Sequence, residues 1–234
     1  MKIIAGNWKM NGTCENLKQM TEKLSNLDTD NKIILCVPYT MLCTQAHNIA
    51  LGAQDISQHT HGAYTGEVSA QMIASTGAKY VIVGHSECRM YHGDTNATVR
   101  TKAQNALDNG LIPIICVGET MEEKQSGKTM EIIESGVRES VPENPQSEII
   151  IAYEPRWAIG AGLTPSDTEI ATAHTLIAKT LSEMGLGGTA ILYGASVKGT
   201  NAASIMSIPN VDGVLVGGAS LKSDDFIPII TSVK

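Results

Sequence analysis

Eight short apolar runs recur along this chain, and longer stretches with helical spacing of their apolar residues separate them. The runs are Lys2–Gly6, Ile33–Val37, Ile49–Gln54, Tyr80–Gly84, Ile112–Val117, Glu148–Tyr153, Ala190–Tyr193 and Val214–Gly217. The helical patterns cover Cys14–Leu24, Ala70–Ser75, Thr95–Asn109, Thr129–Glu139, Ser166–Met184 and Asn201–Ser207. A short continuous apolar run is a strand buried on both faces, and strands alternating with helices form a parallel sheet. Eight such units, with no linker or composition break, predict an α/β fold: a (β/α)8 barrel spanning 1–234 as a single domain. An open doubly wound sheet shares this alternation, but no Gly-x-Gly-x-x-Gly follows the first run. Asp94 is placed to cap the helix at Thr95, Ser166 and Glu169 form a capping box, and Gly110 and Gly185 stand at helix ends.

Composition sharpens this reading. Apolar residues make up 42% of the 234 and aromatic ones only 4%, with a single phenylalanine, Phe226. The core is therefore built from Ile, Val, Leu and Ala, which suits layered parallel strands. A net charge of -7 argues against a nucleic-acid partner or an anionic membrane surface. It leaves room for a small phosphorylated substrate, which a few cations and backbone amides suffice to bind. Five cysteines, odd in number and without a Cys-x-x-Cys pair, point to a reducing, cytoplasmic setting. The N-terminus lacks the apolar core of a signal peptide, and no run is long enough to span a membrane.

In a parallel barrel the C-terminal strand ends meet on one face. Here they deliver Asn7 and Lys9 after the first strand, His85 and Glu87 after the fourth, and Glu154 after the sixth. The seventh leads into Gly194-Ala195-Ser196 and the eighth into Gly217-Gly218-Ala219-Ser220. A base, an imidazole, a cation and two small-residue turns are what proton abstraction beside a carbonyl requires. Pro155 follows Glu154, and glycines at 160 and 162 end the segment, a lid pattern beside the base. Each part alone has a duller meaning: a solvated lysine, a core histidine, a tight glycine turn or a plain strand–helix connection. Their joint occurrence at the strand ends is what those meanings leave unexplained.

Six motifs in order then match one family over essentially the whole chain. They are Gly6-Asn7-Trp8-Lys9-Met10-Asn11, Gly62-Ala63-Tyr64-Thr65-Gly66-Glu67, Val83-Gly84-His85-Ser86-Glu87, Ala152-Tyr153-Glu154-Pro155, Trp157-Ala158-Ile159-Gly160 and Tyr193-Gly194-Ala195-Ser196-Val197. The chain resembles the triosephosphate isomerases. The resemblance implies interconversion of dihydroxyacetone phosphate and D-glyceraldehyde 3-phosphate through an enediolate, in glycolysis and gluconeogenesis, without metal or cofactor. It implies that Glu154 is the base and that His85, neutral beside a helix N-terminus, is the electrophile. Lys9 and Asn7 would balance and bind the developing charge, and Glu87 would hold Lys9. Gly160, Ser196, Gly217 and Gly218 would bind the phosphate, under a Pro155–Gly162 lid that excludes water. It also implies a homodimer in which the loop 54–67 inserts near Asn7 and Lys9 of a second subunit, burying Thr65.

Four positions depart from the family's pattern. Arg156 replaces a small apolar residue in the lid's first hinge, and Ala161 replaces a threonine. Ala195 replaces a glycine, so a positive φ there is expected to be resisted. Cys88 replaces an arginine, which leaves either a reactive thiol beside Arg89 or a lost ion pair that weakens the dimer. A non-catalytic phosphate-binding barrel with an impaired lid is the competing reading; the retained Glu154 favours an enzyme.

Overall fold

A computed structural model describes residues 1–159 and 164–233. Eight strands close into a barrel in chain order, each parallel to the next, and β8 pairs back onto β1. They are β1 (Ile3–Asn7), β2 (Lys32–Cys36), β3 (Ala50–Ala53), β4 (Tyr80–Val83), β5 (Ile112–Val117), β6 (Ile150–Tyr153), β7 (Ala190–Tyr193) and β8 (Gly213–Val216). The helices are α1 (Cys14–Ser25), α2 (Ala70–Ser75), α3 (Ser86–Tyr91), α4 (Asn96–Asp108), α5 (Met121–Gln125), α6 (Thr129–Ser140), α7 (Asp167–Glu183), α8 (Ala202–Ser207) and α9 (Ser223–Ile230).

Strand alternation sorts the core into two compartments. Ile3, Ala5, Ile34, Cys36, Tyr80, Ile82, Ile114, Cys116, Ile150, Ala152, Leu192 and Leu215 fill the barrel interior. Their strand neighbours, among them Ile4, Val81, Val83, Ile151 and Tyr153, face outward and pack with helix residues such as Leu17, Val99, Ile133 and Ile177. The interior is thus aliphatic apart from two cysteines and one tyrosine, in keeping with the low aromatic content.

Strand bounds move by a residue or two from those read in the sequence. The last strand begins at Gly213, where a side chain would place Cβ 1.9 Å from the carbonyl oxygen of Ile3. A glycine that reads as a breaker is here the only residue that allows β1 and β8 to close the barrel. Thr95, not Asp94, caps α4, accepting from Thr98 N–H at 3.2 Å. The Asp94 carboxylate instead meets the Lys102 ammonium at 2.9 Å. Ser166 and Glu169 form the expected capping box on α7, and Gly110 and Gly185 take positive φ just beyond α4 and α7. The sequence pattern missed α3, α5 and α9; the last contains Pro228 yet buries Phe226, Ile229 and Ile230.

Candidate active site

Three strand ends bring the reacting groups together. Glu154 follows β6, and its N–H donates to the Val117 carbonyl at 2.8 Å, prolonging the ladder between β5 and β6. Gly118 permits this approach, since a Cβ there would lie 1.8 Å from the Glu154 carbonyl oxygen. The Glu154 side chain is buried and accepts from the Ser86 N–H at 3.0 Å. Its other oxygen lies 3.0 Å from His85 Nε2.

His85 caps α3, its Nδ1 accepting from the Glu87 N–H at 3.2 Å. That bond places the proton of a neutral ring on Nε2, pointing at Glu154. Burial pushes the imidazole down and the Glu154 carboxylate pushes it up; the carboxylate prevails, so His85 lies above its ordinary value. Burial would raise Glu154, but His85, the Ser86 N–H and Lys9 together hold it below the usual carboxylate range. The expected neutral ring is therefore opposed by the contact with Glu154 and supported by the bond at Nδ1.

Lys9 sits in the left-handed region with φ +53, a costly backbone state for a non-glycine residue. Both its backbone groups are held there. Asn7 Oδ1 accepts from its N–H at 3.0 Å, and Gln54 Nε2 donates to its carbonyl at 3.0 Å. The Lys9 ammonium reaches Glu87 at 2.7 Å. Gln54 went unremarked in the sequence because its role is to hold backbone, which no motif announces.

The mouth of the barrel is a cavity of about 200 Å³ whose lining includes Asn7, Lys9, His85, Glu154, Ser196, Gly217 and Gly218. Glu87 joins them through Lys9. Gly160 and Ala161 lie outside the described residues. The turn after β8 begins a short 3-10 helix at Gly218, and the Lys9 Cε lies 3.7 Å from where a Cβ of Gly217 would be. The strain expected at Ala195 falls one residue later: Ser196 has φ +40, whereas Ala195 is outside the positive-φ region. The alanine is buried.

A second carboxylate, which the sequence reading missed, anchors the segment that follows Glu154. Glu119 accepts from Trp157 Nε1 at 2.8 Å and from the Tyr153 hydroxyl at 3.2 Å. Its carbonyl accepts from the Arg156 N–H at 2.9 Å. Burial raises Glu119, and the neutral donors offset only part of that. Lys124 lies 3.4 Å from the center of the Trp157 ring, fixing its outer face.

Cys88 is not the reactive thiol that was one of two expectations for it. It is buried, and burial, reinforced by Asp55, pushes it up to about 12. Beside it Lys102 pairs with Asp55 at 2.8 Å and Asp94 at 2.9 Å. Asp55, Cys88 and His92 bring possible metal-ligand atoms within 4.8 Å of one another, but the Lys102 ammonium already takes both oxygens of Asp55.

The family model for triosephosphate isomerase matches residues 2–233. The triosephosphate isomerase of Mesorhizobium japonicum is 46% identical, over 97% of this chain and 94% of that protein. That of a Ruegeria species is 44% identical over 99% and 98%. The crystal structure of triosephosphate isomerase from Bartonella henselae superposes with a TM-score of 0.87 at 39% identity, covering 99% of this chain and 98% of that one.

Proposed function

The chain belongs to the triosephosphate isomerase family, and we propose that it carries out that family's reaction in one barrel domain with Glu154 as base and His85 as electrophile. The observation that carries this is the 3.0 Å contact between Glu154 and His85 Nε2 at a cavity also lined by Lys9. A substrate whose carbonyl oxygen and adjacent carbon enter between the two groups takes over the hydrogen bond that His85 Nε2–H now gives the Glu154 carboxylate.

Glu154 then removes a proton from that carbon while His85 Nε2–H donates to the carbonyl oxygen, and an enediolate forms. A proton then passes between the two enediolate oxygens by way of His85 Nε2, and return of the carbon proton from Glu154 to the neighbouring carbon completes the exchange of ketose and aldose. Separating the pair also changes the imidazole. It loses the Glu154 carboxylate that raised it; burial, Lys9 and the Glu87 N–H then favour the neutral ring against the Glu87 carboxylate, 3.6 Å from Nδ1. Lys9 balances the enediolate and phosphate charge, and Glu87 holds its ammonium in place. Asn7 has committed Oδ1 to Lys9, so its Nδ2 is the group that donates to substrate. The phosphate is bound by the N–H groups of Gly217, Gly218 and Ser196, joined by Gly160 of the lid.

A homodimer through the loop 54–67 completes the reading. Exposed apolar side chains follow four adjacent strands: Met10 after β1, Tyr39 after β2, Tyr64 after β3, and Met90 and Tyr91 after β4. Thr65 is exposed in the single chain, as a residue waiting for a partner would be. Sedimentation at micromolar concentration is expected to give a dimer, and a fully active monomer removes this part of the proposal. A cytoplasmic location agrees with five free thiols; among the described residues no helix is long and apolar enough to cross a membrane. A coupled assay with D-glyceraldehyde 3-phosphate tests the activity, and a folded chain that binds phosphate esters without turnover would favour a non-catalytic barrel.

A further inference from the structure

Behind the lid's first hinge lies a second cavity, of about 270 Å³, whose lining includes Arg89, Asn96, Glu123, Ser135 and Arg156. Two guanidinium groups share it, and neither has an ion-pair partner among the described residues. All four side-chain hydrogen bonds of Arg89 go to neutral oxygens: the Gly84 and Cys116 carbonyls, Asn96 Oδ1 and Ser140 Oγ. Arg156 is more telling. Its Nε is fully buried and has no hydrogen-bond partner, a state that costs free energy unless something fills it.

Burial holds Arg89 below its ordinary value, and the charge of Arg156 pushes it the same way. The carboxylate in the lining, Glu123, has one oxygen committed to the N–H and hydroxyl of Thr120 in the α5 capping box. A cavity lined by two guanidiniums, neither paired with a carboxylate among the described residues, is complementary to a small oxyanion.

We propose that this cavity is an anion site, distinct from the barrel mouth, which binds an oxyanion of the phosphate class through Arg156 and Arg89. Arg156 stands two residues after Glu154, and its N–H is held by the Glu119 carbonyl. An anion there ties the lid's first hinge to α4 and α6, whose residues form the opposite wall.

The probe is inorganic phosphate, titrated into the intact protein and into Arg156→Met, so that any binding at the barrel mouth is common to both. The Nε–H resonance of Arg156, identified by its loss in Arg156→Met, is expected to move saturably, with half-saturation on the order of 1 mM. Chloride at equal ionic strength is expected not to reproduce the shift. Isothermal titration is expected to find one phosphate fewer per chain in Arg156→Met than in the parent. A resonance that stays still, or moves without saturating as it does with chloride, overturns the proposal, and so does unchanged binding by Arg156→Met. Because the comparison is between two proteins differing only at Arg156, its outcome is independent of whether the mouth performs the isomerisation.

Discussion

Two buried glutamates stand at neighbouring strand ends, Glu154 after β6 and Glu119 after β5, and they are driven in opposite directions. Both lose water, which alone raises a carboxyl group. Glu154 then gains an imidazole, an N–H and a nearby ammonium, and ends below the usual range. Glu119 gains an indole N–H, a phenol and a more distant lysine, and ends above it. Burial is common to the two, so the charge of the partners decides. A carboxylate kept ionised next to a cavity can take a proton from substrate. One raised by its surroundings and tied to Trp157 serves instead as the post on which the lid's hinge rests.

The most direct way to break this comparison is to neutralise each group in turn. Glu154→Gln is expected to lower turnover by about 10²–10⁴-fold, the usual worth of a positioned base, with the far-ultraviolet spectrum unchanged. Glu154→Asp, which withdraws the carboxylate by about 1 Å, is expected to lose on the order of 10². Glu119→Gln is expected to lose less than about tenfold, because the amide still accepts from Trp157 and donates to the Tyr153 oxygen. Steady-state rates for the three variants decide the matter; an equal loss at Glu119 and Glu154 would make both glutamates part of the chemistry.

Glu154 was legible in the sequence and Glu119 was not, for a physical reason. Glu154 ends an apolar run and is followed by Pro155, so strand, base and lid are adjacent in the chain. Glu119 lies between Gly118 and Thr120, where a loop running into a capped helix is the natural reading, and its partners are 34 and 38 residues away. Long-range partnership is invisible to spacing. The same divide runs through the molecule: the eight strands declared themselves by local apolarity, whereas Gln54, holding Lys9 across 45 residues, did not. After β7 the positive φ belongs to Ser196, a position that no glycine marks in the sequence.

Stability against pH separates the glutamates further. A raised folded-state pKa means that Glu119 stabilises the fold below its unfolded value and that this contribution disappears as pH rises through the folded value. Glu119→Gln is therefore expected to melt higher than the parent at neutral pH, with the gain shrinking toward pH 4. Glu154 has the opposite sign, its contribution being present at neutral pH and lost as pH falls through its depressed value. The parent curve also contains His174, which burial pushes down to about 4, so its contribution falls as pH drops from about 6.5 toward 4. Taking parent minus variant removes that background. A Glu119→Gln protein less stable than the parent at neutral pH would refute the assignment of a raised carboxyl.

A smaller effect is expected at His85. In the free protein Glu154 raises the imidazole; Glu154→Gln, which removes that charge, is expected to lower it, followed through the ring nitrogen resonances. An imidazole that titrates at the same pH in parent and variant would mean that the 3.0 Å contact does not control its charge.

The smallest expected effect comes from the Tyr153 hydroxyl. Its contacts with the Glu119 oxygens, 3.2 and 3.3 Å, are long for a hydroxyl donor. Tyr153→Phe removes that donor while keeping the ring that packs edge-on against His174. Because the bond is long, the loss is expected near the low end for hydrogen bonds, about 1 kcal/mol. One of the groups that hold Glu119 down would then be gone, so its carboxyl should rise further and the protein should lose more stability as pH rises above the ordinary carboxylate range. Trp157 would still anchor the hinge at 2.8 Å, so turnover is expected to stay within about threefold of the parent. A large fall in turnover with little change in stability would reverse this assignment. It would place the hydroxyl in the lid's working motion and make the Glu119 cluster as functional as the one around Glu154.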